Sequence, residues 1–253
     1  MTADSLETTP PDQMPLGQSV LMHLIPGALL TLAYFLIAPP MMAAGYPSIA
    51  ALLLAILVVL IPFELGVLLV QGYRRHGRLS LVDVVVWRQP LPWTTFAWLV
   101  PLLVVWGGAV FIGLSPLENL FASRLFAWMP AWSLPSAAGV TFEGIARGKL
   151  LLIFGAGFAL NGIAGPVVEE LYFRGYLLPR VARLGTLGSV LWNVILFSLY
   201  HFFSPWGNLS RILAMLPIVY MVARKRNIYV SMLAHCTINT LGMILSLGPY
   251  IGG

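Results

Sequence analysis

The chain has 253 residues, of which 59% are hydrophobic and only 9% charged. Soluble domains carry about 25% charged residues, so this chain cannot cover a water-facing surface and lipid must be its solvent. Lys and Arg number 14 against 9 Asp and Glu, a net charge of +5; in so apolar a chain that excess reads as membrane topology and not as nucleic-acid binding.

Residues 1–16 are polar and contain proline, and they predict a flexible tail. Asp4, Glu7 and Asp12 stand there without any Lys or Arg, the reverse of a signal peptide's basic start. The first apolar span is expected over 17–38, closed by Pro39-Pro40, and the second over 47–70. A basic loop with Arg74, Arg75 and Arg78 follows. Ser80 and Asp83 then have capping-box spacing, which predicts a short surface helix over 81–88, broken by Pro90 and Pro92. The third span is expected over 93–114.

Beyond it the chain is less apolar. Leu117, Leu120, Phe121, Leu125 and Trp128 recur at helical spacing and predict an interfacial amphipathic helix within 115–148. The fourth span is expected from about 150 to Pro179, the fifth over 188–204, the sixth over 209–223 and the seventh over 228–248. The fold class is therefore an all-α polytopic transmembrane bundle of about seven spans, or eight, with short interfacial helices. It forms a single domain over 17–253.

Three basic clusters punctuate this order: Arg74/Arg75/Arg78/Arg88, Arg174/Arg180/Arg183 and Arg224/Lys225/Arg226. They fall on alternate loops and hence on one side of the membrane. The positive-inside rule makes that side cytoplasmic, with the N-terminus inside and the C-terminus outside.

Several polar side chains lie inside the expected spans: His23, Glu64, Glu169, Glu170, Arg174, His201, Arg211, His235 and Asn239. Each ionisable one costs about 2.5–3.5 kcal/mol near the bilayer centre, and such residues mark sites by default. Glu170 and Arg174 are four apart and can pair on one face. Glu169 is turned about 100° from that face and is the freer carboxylate. Phe197 and His201, and His235 and Asn239, are also four apart. Counted along their helices, Glu169, His201, His235 and Asn239 all fall near mid-membrane.

Peptide hydrolysis needs a base for the water, an acid for the leaving amine and donors for the oxyanion. One carboxylate, two imidazoles and an amide supply those roles. Two histidines with Glu169 could instead hold a zinc ion with one open position. No HExxH is present, and Asn239 suits an oxyanion donor better than a zinc ligand. The metal-free reading is preferred, with zinc on Glu169, His201 and His235 as the alternative.

Glu169-Glu170-Leu-Tyr-Phe-Arg174 has the form EExxxR, Phe197-Ser-Leu-Tyr-His201 the form FxxxH, and His235-Cys-Thr-Ile-Asn239 the form HxxxN. Three motifs in this order on successive apolar helices resemble the CPBP family of intramembrane proteases. That family includes type II CAAX prenyl endopeptidases and Abi-type, bacteriocin-immunity-related proteins. The resemblance covers about 150–245. It implies that Glu169 and His201 activate water, that His235 and Asn239 stabilise the oxyanion, and that Glu170 and Arg174 are supporting residues. The substrate it implies is a membrane-embedded or lipidated peptide or protein, met in a multi-pass protein of a prokaryotic plasma membrane whose other partner is lipid. A proton- or ion-coupled transporter and a non-catalytic membrane scaffold are the competing functions.

The remaining polar residues read as structural. His23 and Glu64 match no motif and read as structural or cavity-lining, Arg211 is expected to snorkel to the outer surface, and Gly155, Gly157, Gly162 and Gly165 are expected where helices pack closely. The lone cysteine, Cys236, excludes an intramolecular disulfide and a Cys-based metal cluster.

Overall fold

The computed structural model describes residues 12–135, 142 and 144–251. Among them the chain is helical and forms no strand, with one isolated bridge between Arg88 and Asn227. In lipid no water can satisfy a free backbone N–H or C=O, so apolar runs of this length close their hydrogen bonds within themselves as helices. Five such runs are long and apolar enough to cross a membrane: Leu16–Ala43, Ser48–His76, Trp93–Arg124, Arg147–Leu199 and Pro205–Lys225. The protein is thus an all-α polytopic membrane bundle.

Helix α1 is Leu16–Ala43. The second run joins α2 (Ser48–Ala55) through a π-helical turn at Ile56–Leu60 to α3 (Ile61–His76). Gly77, at φ 66°, ends it in the left-handed conformation that glycine adopts without a Cβ penalty. Helix α4 is Trp93–Arg124. The fourth run comprises α5 (Arg147–Gly157), a π stretch at Phe158–Ala164, α6 (Gly165–Glu169), a second π stretch at Glu170–Leu177 and a 3-10 segment at Leu178–Leu184. The chain reverses at Gly185 (φ 74°) into α7 (Gly185–Leu199). There Asn193 Nδ2 donates back to the Phe173 carbonyl (3.0 Å), tying the two arms of the hairpin together. Helices α8 (Asn208–Lys225) and α9 (Tyr229–Ile251) complete the bundle.

Three expected local features differ. Pro39-Pro40 does not close the first span, because α1 runs on to Ala43. Each proline removes one donor, but the two stand in the closing turns, and the Ala44 N–H caps the end on the Pro40 and Met41 carbonyls. The amphipathic stretch that begins at 115 is not a separate interfacial helix: α4 carries through Pro116 to Arg124. Nor do residues 81–88 form a surface helix. Ser80 Oγ accepts from the Val82 N–H in a local turn, and Asp83 and Trp87 have φ of 59° and 60°. Val84, Val85 and Val86 are buried there, so the segment plugs into the bundle.

One end of the bundle is stitched by this plug. The Val86 N–H donates to the Gly175 carbonyl, Gln89 N–H to Arg226, and Ile228 N–H to Trp87. Met14 N–H donates to the Arg180 carbonyl, and Arg75 pairs with Asp12 at 3.3 Å. Loops bearing all three basic clusters therefore meet at one end, beside the first described residues. Of those cations Arg174 is fully buried within the bundle, and Arg180 is buried on the Val84 and Tyr176 carbonyls. The expected tail lies outside the described residues up to 11, while residues 12–14 pack against this end. At the other end Lys149 Nζ donates to the Ala44 carbonyl (2.9 Å), closing the start of α5 onto the end of α1.

Helices approach closely where glycine allows it. A Cβ at Gly157 would lie 2.7 Å from Met243 Sδ and one at Gly162 2.8 Å from Thr240 Oγ1, which seats the fourth run against α9. Gly155 faces open space instead.

Candidate active site

Glu169 ends the single α-helical turn between two π stretches, just after Pro166 has removed a donor from the ladder. π-bulges recur at functional sites, and here the widened turns flank the carboxylate. Glu169 is 6% exposed and faces a cavity of about 250 Å³. His201, His235 and Asn239 line the same cavity. The fold thus gathers the four residues singled out above from the fourth run, the turn after α7, and α9.

Glu169 Oε1 accepts from the Tyr200 hydroxyl, and Oε2 lies 3.7 Å from His235 Nε2. His201 Nδ1 is 2.9 Å from the Phe197 carbonyl. A carbonyl only accepts, so that nitrogen carries the proton and Nε2 keeps its lone pair. The Tyr200 and His201 rings are 4.2 Å apart, so Tyr200 touches both the carboxylate and the imidazole.

His235 is held from behind. Its Nδ1 donates to Glu170 Oε1 at 2.9 Å, leaving Nε2 toward Glu169. Asn239 Nδ2 donates to the Asn161 carbonyl at 3.0 Å, which uses one of its two N–H groups. Glu170 and Arg174 do not line the cavity. They pair as expected, Arg174 Nε to Glu170 Oε2 at 3.4 Å, with the guanidinium 3.9 Å over the Phe197 ring. Glu170 does more than hold Arg174, because its carboxylate also accepts from Ser231 Oγ at 2.6 Å and from His235. It orients an imidazole, and the motif spacing gave no sign of that.

Among the described residues no three His, Cys, Asp or Glu side chains stand where they could hold a metal ion, the set Glu169, His201 and His235 included. A zinc ligand set needs its donors free to converge at about 2.0–2.2 Å. One Glu169 oxygen is taken by Tyr200 and Nδ1 of each imidazole by Phe197 or Glu170, which leaves Glu169 Oε2 and both Nε2 atoms unspent, the pattern that metal-bound histidines also show.

Two other intramembrane groups are structural in different ways. His23 donates from Nδ1 to the Ser19 carbonyl (2.7 Å) and accepts at Nε2 from Asn193 (3.0 Å), away from the cavity. Glu64 is fully buried, with no hydrogen-bond partner for either oxygen, and also lies off the cavity. Arg211 does not snorkel. It lines the cavity, bound to the Ser198 and Ser204 carbonyls, Ser204 Oγ and Asn208 Oδ1. The turn at 200–207 folds back over its side chain and offers it neutral oxygens nearer than the membrane surface. Sequence reasoning missed Tyr200 and Asn161 altogether, although Tyr200 stands next to His201 and three residues after Phe197, at helical spacing from that motif residue.

An all-α bundle with an acid, two imidazoles and an amide around one intramembrane cavity carries the groups that peptide hydrolysis needs. Residues 149–241 match the family model described as type II CAAX prenyl endopeptidase Rce1-like. The matched stretch holds EExxxR, FxxxH and HxxxN complete. No curated protein and no solved structure matches the chain.

Proposed function

We propose that this cavity hydrolyses a peptide bond of a membrane-embedded or lipidated substrate by means of a water activated by Glu169. The observation that carries the reading is that Glu169, His201, His235 and Asn239 line one cavity. The hydrogen bonds divide the labour. His201 Nε2, with its lone pair free, accepts from the water and orients it toward Glu169, which takes its proton as the oxygen attacks the scissile carbonyl carbon. His235, whose Nδ1–H is on Glu170, donates from Nε2–H as an imidazolium, and the second Asn239 N–H donates beside it to the oxyanion that forms. Glu170, on the other face of the His235 ring, favours positive charge on that imidazole as the oxyanion develops. The proton on Glu169 then passes to the leaving amine nitrogen as the C–N bond breaks.

The chemistry proceeds without metal in this reading. Chelation of the purified protein leaves peptidase activity unchanged, whereas loss of activity that added zinc restores would return zinc to the site. The basic end of the bundle faces the cytoplasm under the positive-inside rule, in the plasma membrane of a prokaryote, with the N-terminus on that side.

The test compares membrane proteomes of cells expressing wild type and Glu169→Gln at matched levels. Cut ends present with wild type and missing with Glu169→Gln are expected. Identical cut ends in both would remove Glu169 from the reaction.

A further inference from the structure

Two fully buried side chains of opposite charge lie off the active cavity with bonding capacity unspent. Glu64 stands in the first turn of α3, and neither of its oxygens has a hydrogen-bond partner. Arg174 stands in the second π stretch, one turn beyond Glu170. Its Nε is 3.4 Å from Glu170 Oε2, and its face lies 3.9 Å over the Phe197 ring. Nη1 and Nη2, at the edge of that plane, have no hydrogen-bond partner.

Both belong to one packing seam, because α3 lies against α6 and against the second π stretch. Leu60, four residues before Glu64, lines the cavity together with Ile56. The second run is therefore a wall of the cavity, and Glu64 follows about 6 Å further along it. Glu64 lies within electrostatic reach of Glu169, Arg174 and Glu170. Yet no hydrogen bond or ion pair joins it to any of them among the described residues. Opposite charges that sense each other without touching, each with bare polar atoms, are the setting in which a water stands between.

We infer that Glu64 and Arg174 hold an internal water between α3 and the fourth run, at a site separate from the active cavity. The two ends of the site select its occupant. The guanidinium excludes a cation and the carboxyl oxygens exclude an anion, whereas water accepts from Nη and donates to Oε at once. A buried water makes about three hydrogen bonds, and the two Glu64 oxygens with Nη1 and Nη2 supply them. The bridge fastens the cavity wall at Leu60 to the run that carries Glu169. It also gives Arg174 a second partner, so Glu170 is not drawn wholly to the guanidinium and keeps Oε1 on His235. Glu64 is thus a positioning residue. That role rests on the peptidase reading above; the water site does not.

The test begins with crystal structures of the full-length protein at a resolution that shows waters, for wild type, Glu64→Gln and Glu64→Leu. Density for a water bonded to residue 64 and to Arg174 Nη1 or Nη2 is expected in wild type. It persists in Glu64→Gln, whose amide also bonds water, and is lost in Glu64→Leu. A direct bond between the Glu64 carboxyl and the guanidinium, or a dry contact between them, overturns the water site. The wild-type structure decides this even where Glu64→Leu does not fold, and whether or not any peptide is cut. Turnover of a pool of lipidated fluorogenic peptides by the protein in liposomes then reads the positioning role. Glu64→Leu lowers kcat about tenfold, the size of one hydrogen bond to a charged group, with KM within twofold of wild type. Glu64→Gln restores most of that loss. An equal loss in both variants assigns the effect to the carboxyl group's charge and overturns the water's part in it. An unchanged kcat in Glu64→Leu overturns the positioning role. If wild type cuts no peptide, the peptidase reading fails with the positioning role, and the water site stands or falls on its density alone.

Discussion

Two buried polar clusters lie in this bundle, and they are built to opposite ends. Around His23, both ring nitrogens and both Asn193 N–H groups are spent within the protein, on the Ser19 and Phe173 carbonyls and on each other. Around Glu169, the second nitrogen of His201, Nε2 of His235 and one N–H of Asn239 are left toward a cavity. Each cluster contains a histidine that a hydropathy profile scores alike. What separates them is whether the ring nitrogens and amide N–H groups are consumed, which makes a strut, or retained toward a cavity, which makes a site. A buried polar group with no partner costs about 1–3 kcal/mol, so unspent capacity facing a cavity is stability given up for something that binds there.

The comparison breaks most sharply at Glu169. Glu169→Gln preserves size and most contacts, and kcat falls by about 10²–10⁴, the usual contribution of a general base, with the melting temperature nearly unchanged. Glu170→Gln mixes the two kinds of cluster. It weakens the support of His235, Ser231 and Arg174 together, and disrupting a buried ion pair costs about 3–5 kcal/mol. Denaturant unfolding and turnover should both register that loss. An Asn193→Ala variant tests the strut alone: stability drops by about 1–3 kcal/mol while kcat of the folded fraction stays within twofold of wild type.

Gly27→Ala probes the seam between the clusters. Its new Cβ would press on the Tyr200 carbonyl and stand 2.6 Å from Tyr200 Cδ2. Overpacking of that kind costs about 1–3 kcal/mol, and because Tyr200 holds Glu169, turnover should decline with it. The smallest effect is expected at Cys236, which is half-buried with Sγ 3.9 Å from the Ile163 carbonyl. Cys236→Ser leaves both turnover and melting temperature essentially as they are; a large loss of turnover would instead give the thiol a part in the reaction.

Much of the site was legible before the fold was known, for a local reason. Helical spacing depends only on neighbours in the chain, so the pairing of Glu170 with Arg174 and the shared stripe of His235 and Asn239 could be read from positions four apart. The errors came where a distant element decides. Arg211 at a helix start looks free to reach the membrane surface until the Ser198 and Ser204 oxygens close on it. The Ser80–Asp83 spacing looks like a cap until the Gly175 and Arg226 carbonyls draw the segment inward. Prolines at 39, 40 and 116 look like breaks, but in lipid an interrupted helix exposes more unsatisfied backbone than a helix lacking single bonds.

From its order of residues alone, this protein was bound to be a lipid-soluble helical bundle with an acid, two imidazoles and an amide at similar depth. Hydropathy and periodicity are properties of short stretches, and nothing distant can cancel them. The rotation of each helix, the π turns beside Glu169 and the return of the chain at Gly185 were settled only by packing. They determined that His235 leans on Glu170, that Tyr200 holds Glu169 and that Arg211 points inward, because a buried hydrogen bond depends on where every other helix has already placed its donors.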